Sequence, residues 1–114
     1  MNKISMFACV VMAGAIAGCA SGDDLRKKDP VYFATTAKSP QDYAECVARG
    51  WRAEGKGDVI EQPIRNGVDV ISRGRFNVEE IVRIQHYDGK THINMYARTK
   101  YNYQVLMQSV NLCQ

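Results

Sequence analysis

Val78-Glu79-Glu80-Ile81-Val82-Arg83-Ile84-Gln85-His86-Tyr87-Asp88-Gly89-Lys90-Thr91-His92-Ile93-Asn94-Met95-Tyr96-Ala97-Arg98 is the stretch from which the fold can be read. Asp88-Gly89 separates two runs that alternate apolar and polar side chains. An Asp-Gly pair accepts the left-handed backbone of a two-residue hairpin turn, so Val78–Tyr87 and Thr91–Arg98 fold back as antiparallel strands. Pairing outward from Tyr87 and Lys90 sets Ile84 opposite Ile93 and Val82 opposite Met95 on one face. The other face pairs Arg83 with Asn94, Gln85 with His92 and Glu79 with Arg98. A slip of one residue would turn the apolar set to water, so turn chemistry and polarity agree on one register.

Towards the N-terminus, Val59–Ile64 and Val68–Arg73 flank Arg65-Asn66-Gly67. A three-residue loop with Gly67 left-handed sets Ile64 opposite Val68 and Gln62 opposite Val70. Ile60, Ile64, Val68 and Val70 then share a face. A two-residue Asn-Gly turn would pair Arg65 with Val68 and scatter that set, so the longer loop is expected. Pro63 has no amide proton for a ladder and marks its strand as an edge or a bulge. Val31–Thr36 is aromatic and β-branched, a candidate fifth strand.

Two helices complete the pattern. Ser39-Pro40-Gln41-Asp42 combines a capping hydroxyl, a proline at the first helical position and an acid in the first turn. From there to about Arg52, Tyr43, Cys46, Val47 and Trp51 fall on one face, widened by Ala44 and Ala48. Tyr101–Cys113 is the second helix, with Asn102 as its cap. Val105, Leu106, Val110 and Cys113 form its apolar stripe, with Met107 and Leu112 at the edges. The expected architecture is α+β: a four-stranded antiparallel sheet, five with Val31–Thr36, under two helices on one face. Its order is (β)αββββα, and the second sheet face is open.

The N-terminus carries a different signal. Met1-Asn2-Lys3 precedes an uncharged run, Ile4 to Cys19, that ends Ile16-Ala17-Gly18-Cys19. The run is about 16 residues, short of the about 20 that a spanning helix needs, and fits an export signal. Residues 1–20 resemble the lipobox-type signal peptide of bacterial lipoproteins. The family prefers Leu where this chain has Ile16. The resemblance implies cleavage before Cys19, a diacylglyceryl group on its thiol and acylation of the new amine. Several acyl chains on one residue make a stable anchor. Ala20, rather than Asp, follows the cysteine, which implies the outer membrane in a two-membrane envelope. Residues 1–18 are then the signal. Residues 19–29 are the lipidated cysteine and a polar, flexible tether, and 30–114 one small domain.

That division sorts the cysteines. Cys9 leaves with the signal and Cys19 carries lipid. Cys46 and Cys113 remain, an even pair in an exported chain, both on inward helical faces, so one disulfide is expected. It would close a loop of about 67 residues, worth roughly 4 kcal/mol in the chain-entropy account. The side chains after Cys19 are nearly neutral, with 14 basic and 12 acidic groups once Lys3 is removed. Nothing in that balance calls for nucleic acid.

Candidate chemistry is sparse. His86 and His92 flank the hairpin turn but alternate to opposite faces, His86 inward and His92 outward, so they do not share a metal. Glu79 and Glu80 also point apart. Cys46 and Cys113 lack the Cys-x-x-Cys spacing of redox or metal sites. Tyr43 and Trp51 belong to the core. No phosphate loop, His-Glu-x-x-His or nucleophile elbow is present. No catalytic residue, cofactor or metal is therefore expected. The broad surface suited to a partner is the outer hairpin face, Arg83, Gln85, His92, Asn94, Tyr96 and Arg98, extended by Lys100, Tyr101 and Tyr103. The expected function is a non-enzymatic, outer-membrane-anchored lipoprotein that binds a protein or envelope partner through that face. The alternative is a binding module or inhibitor for a soluble target such as a cell-wall hydrolase.

Overall fold

The computed structural model describes residues 22–99 and 103–114. Five antiparallel strands form one sheet: β1 (Tyr32–Thr36), β2 (Val59–Ile64), β3 (Gly67–Arg73), β4 (Val78–Tyr87) and β5 (Lys90–Ala97). Their spatial order is β1-β5-β4-β3-β2. Helices α1 (Pro40–Ala53) and α2 (Gln104–Leu112) cover one face. The expected α+β class holds, and the candidate fifth strand is part of the sheet.

The β4–β5 hairpin has the register its polarity dictates: Tyr87 opposite Lys90, Ile84 opposite Ile93, Val82 opposite Met95. Asp88 and Gly89 both take positive φ, at 53° and 74°, as a two-residue hairpin turn with this twist requires. β1 lies on the free side of β5, with Phe33 opposite Asn94 and Ala34 opposite Ile93. β2 forms the other edge, with Pro63 opposite Val68 of β3, as a residue without an amide proton is confined to edge strands.

The β2–β3 connection differs from the expected three-residue loop. Only Arg65 and Asn66 form the turn, and Ile64 pairs with Gly67. Asn66 takes the left-handed position, φ 61°, which asparagine tolerates. Gly67 belongs to the strand for another reason: a Cβ there would lie 1.8 Å from the carbonyl oxygen of Ile84. The shorter loop shifts β2 by one residue relative to β3. Val59 joins Val68 and Val70 beneath the helices, while Ile60 turns to the opposite face with Ile71 and Ile81. Ile60 and Ile64 therefore do not share a face with Val68 and Val70.

Helix α1 starts as its sequence specifies. Ser39 Oγ accepts from the Asp42 amide at 3.2 Å, and Pro40 occupies the first turn. Gly55, at φ 93°, turns the chain out of it. Tyr43, Ala44, Val47, Ala48 and Trp51 are buried against Val70, Val82, Ile84, Ile93 and Met95. α2 lies beside α1 and is held by three cross-links. Cys46 and Cys113 form the disulfide, with Cα atoms 5.9 Å apart. Tyr43 Oη donates to the Val110 carbonyl, and Trp51 Nε1 to the Leu106 carbonyl at 3.1 Å. Burial, and secondarily the nearby Tyr32, pushes the Tyr43 phenol well above its usual range.

α2 and its C-cap bury Leu106, Val110 and Cys113, but Val105 and Leu112 are exposed. Nine helical residues on one flank of α1 give a narrow stripe, and Val105 falls outside it. Tyr103 stands at the N-cap without a side-chain cap bond. The expected cap, Asn102, and the expected surface residues Lys100 and Tyr101 lie outside the described residues.

Candidate functional site

The second sheet face is not wholly open. Residues 22–26 are helical and lie on it. Leu25, the one apolar residue of a polar stretch, is fully buried against Ile71 and Ile81, with Ile60, Val78 and Tyr96 around it. Burying one leucine offers about 2 kcal/mol, enough to seat a short segment whose polar groups remain wet. Three polar links fasten it. Arg26 Nη1 is 3.5 Å from Asp69 Oδ2, Arg98 Nη1 is 3.5 Å from Asp24 Oδ2, and Lys28 Nζ donates to the Arg98 carbonyl at 3.3 Å. The stretch expected to be a flexible tether is, from residue 22 to 28, a strap across β3, β4 and β5. One apolar side chain sufficed because the sheet offers a matching apolar patch, which the register of β2 helps to build.

The strap divides the six outer-face residues. Arg83 forks onto Asp69, Nε to Oδ1 at 3.0 Å and Nη2 to Oδ2 at 2.9 Å. That hydrogen bond raises the Arg83 pKa against the opposing cost of burial. Tyr96 packs around Leu25. Arg98 Nε donates to the Val78 carbonyl at 2.8 Å. These three belong to the strapped half. Gln85, His92 and Asn94 lie towards the uncovered half, where Gln85 Nε2 donates to the Arg65 carbonyl at 3.2 Å.

The uncovered half centres on two rings and a neighbour. Tyr87 and His92 stack with centroids 3.7 Å apart and planes 7° from parallel. His92 Nε2 also lies 3.2 Å from the Tyr87 carbonyl. Phe33, on edge strand β1, is 76% exposed. With Thr35, Asn94 and the stacked rings it lines an open depression of about 380 Å³. The depression offers aromatic and apolar contact, the hydroxyl of Thr35 and the amide of Asn94. Sequence reasoning did not single out Phe33 or Tyr87 as site residues. Alternation places Tyr87 on the outer face from the hairpin alone. Phe33 becomes an outer-face residue only once β1 is known to pair with β5.

None of the remaining candidates lines that depression. His86 Nδ1 lies 3.2 Å from Thr91 Oγ1, and that hydroxyl donates to the Lys38 carbonyl at 2.7 Å. Glu80 is buried on the helical side, with Oε1 3.2 Å from Lys56 Nζ and Oε2 without a hydrogen-bond partner. Glu79 accepts the Arg98 amide through its carbonyl, at 2.8 Å. Among the described residues no cluster of three His, Cys, Asp or Glu side chains is placed to hold a metal. Nor is any helix among them long and apolar enough to cross a membrane. No protein-family profile, curated protein or solved structure matches the chain.

Proposed function

We propose that this chain is a lipid-anchored envelope protein, held through Cys19 in the outer membrane. In this reading its domain is a non-enzymatic binding module for a protein or envelope partner. The partner-binding surface is the β1–β5–β4 part of the outer face: Phe33, Thr35, Tyr87, His92 and Asn94, with Gln85 at its border. The supporting observation is Phe33. A phenylalanine that is 76% exposed, beside a stacked Tyr–His pair and an open depression, keeps a large apolar group in water. A contiguous aromatic patch of this kind marks an interaction site more often than scattered surface residues do. The anchor rests on the Ile16–Cys19 signal and on Ala20 after it.

The test is photocrosslinking in living cells, with a crosslinking amino acid at position 33 of the full-length chain and, separately, at exposed Val105. Mass spectrometry identifies the adducts. One dominant adduct from position 33, absent from position 105 and lost with Tyr87→Ala plus His92→Ala, supports the surface. Equal or no adducts at the two positions would refute it. Radiolabelled palmitate, incorporated by the natural chain and not by Cys19→Ser, checks the anchor independently.

A further inference from the structure

The strap is fastened to the sheet differently from every other element. Its one fully buried side chain is Leu25, while Asp23, Asp24, Lys27 and Lys28 are exposed. Its backbone hydrogen bonds stay inside the turn: the Lys27 amide donates to the Asp23 carbonyl at 3.2 Å, and the Lys28 amide to the Leu25 carbonyl at 3.2 Å. Among the described residues, only side chains join residues 22–28 to the sheet. Their ion pairs are long, 3.5 Å for Arg26–Asp69 and 3.5 Å for Arg98–Asp24, with the Asp24 side chain 70% exposed. The first backbone bond from this end of the described chain to the sheet comes at Val31, whose amide donates to the Met95 carbonyl at 2.8 Å. Leu25 belongs to the small apolar cluster of the outer face, separate from the core under the helices, so lifting the strap leaves that core intact.

Opposing terms of similar size act on such a segment. Docking gains the burial of one leucine and a few solvent-screened pairs. It costs the backbone freedom of seven residues, which is of the same order. The covalent chain converts release into distance. With the strap docked, three residue steps separate Cys19 from Gly22 and span at most about 11 Å. With the strap free, twelve steps separate Cys19 from Val31 and span at most about 43 Å. We infer that residues 22–28 are a retractable part of the lipid tether, exchanging between docked and released states. Docked, they hold the domain close to the bilayer. Released, they let it range about four times as far. This inference rests on the lipid-anchor part of the proposed function and adds two states of reach. The strap returns because release exposes Ile71 and Ile81 to water.

The experiment uses the mature lipoprotein in phosphatidylcholine vesicles that carry a headgroup-labelled acceptor lipid. A fluorescent donor sits on an unnatural side chain at position 105, exposed on the helical side. Donor decays are compared for the natural strap, for Leu25→Ser, and for a chain lacking residues 22–28, each shown by circular dichroism to be folded. The deletion leaves five steps between Cys19 and Val31, a tether of at most about 18 Å in any conformation. The expected result is a single fast decay for the deletion, and loss of more than half of that energy transfer for Leu25→Ser. The natural chain should show both components, because donor lifetimes are shorter than the motion of such a segment. A natural decay that matches either variant alone overturns the two-state reach, as does a Leu25→Ser decay that matches the deletion. Either result, in protein whose intact mass shows acylated Cys19, leaves the anchor standing. An intact mass without acyl chains overturns both.

Discussion

Arg83 and Asp69 face each other across β4 and β3, joined by two parallel hydrogen bonds of 3.0 and 2.9 Å on the strapped sheet face. Asp69 is 2% exposed, and Arg26 of the strap approaches the same carboxylate. The pair is the polar floor on which the N-terminal segment sits. A buried carboxylate stripped of its main partner costs more than the pair contributes when intact. Arg83→Met should therefore destabilise the domain by about 2–4 kcal/mol, measured by urea unfolding. Arg83→Met with Asp69→Leu should recover most of that. A double variant as unstable as the single would show that the charge pair itself, rather than the orphaned carboxylate, carries the stability.

Leu25→Ala should cost about 2 kcal/mol if the strap unfolds only with the domain, and less if it lifts alone. Hydrogen exchange separates the two cases. Loss of amide protection confined to residues 22–28, together with faster tryptic cleavage after Arg26, Lys27 and Lys28, identifies local release. Unaltered protection there would mean that the leucine does not hold the strap.

The disulfide between Cys46 and Cys113 ties the two helices across 67 residues of chain. Replacing both cysteines by alanine should lower stability by roughly 3–4 kcal/mol without changing the strand register. Thermal unfolding by circular dichroism reads the first, and amide chemical shifts of β4 and β5 read the second. A larger loss, with no folded state at ambient temperature, would place the helix pair, not the sheet, at the base of stability.

Tyr43 gives an alkaline prediction. Burial keeps its phenol protonated in the fold above the usual value of 10.0. The unfolded chain loses that proton first, so it binds fewer protons than the folded chain as pH rises past about 10. The stabilising contribution is whole below that pH and is progressively lost above it. Urea midpoints should fall between about pH 10 and 11, and Tyr43→Phe should flatten the fall. Tyr43→Phe also removes the hydrogen bond to the Val110 carbonyl, so its stability at neutral pH should be lower, by about 1 kcal/mol.

What could be read from the chain, and what could not, comes down to particular residues. Alternation around Asp88-Gly89 placed Gln85, His92 and Asn94 on the outer face, because a short hairpin is a local object and its turn sets its register. The α1 face and its Ser39 cap were legible for the same reason, as periodicity and capping act within a few residues. The cysteine pair was legible because two inward helical faces leave few other partners.

Distant contact governs the rest. The β2–β3 turn lost its expected third residue to Gly67, whose missing Cβ is needed for close approach to Ile84, a strand away. That one-residue difference moved Ile60 to the outer face and helped build the patch that buries Leu25. Local composition marked residues 22–28 as solvated, since a single leucine has no local partner to hide against. Phe33 entered the candidate site only through β1 pairing with β5, about sixty residues along the chain. Short-range stereochemistry, written in the residue order alone, set the class, the central hairpin, the first helix and the covalent staple. Which half of the outer face stays open was settled by long-range packing, because register between distant strands decides where the apolar surface lies.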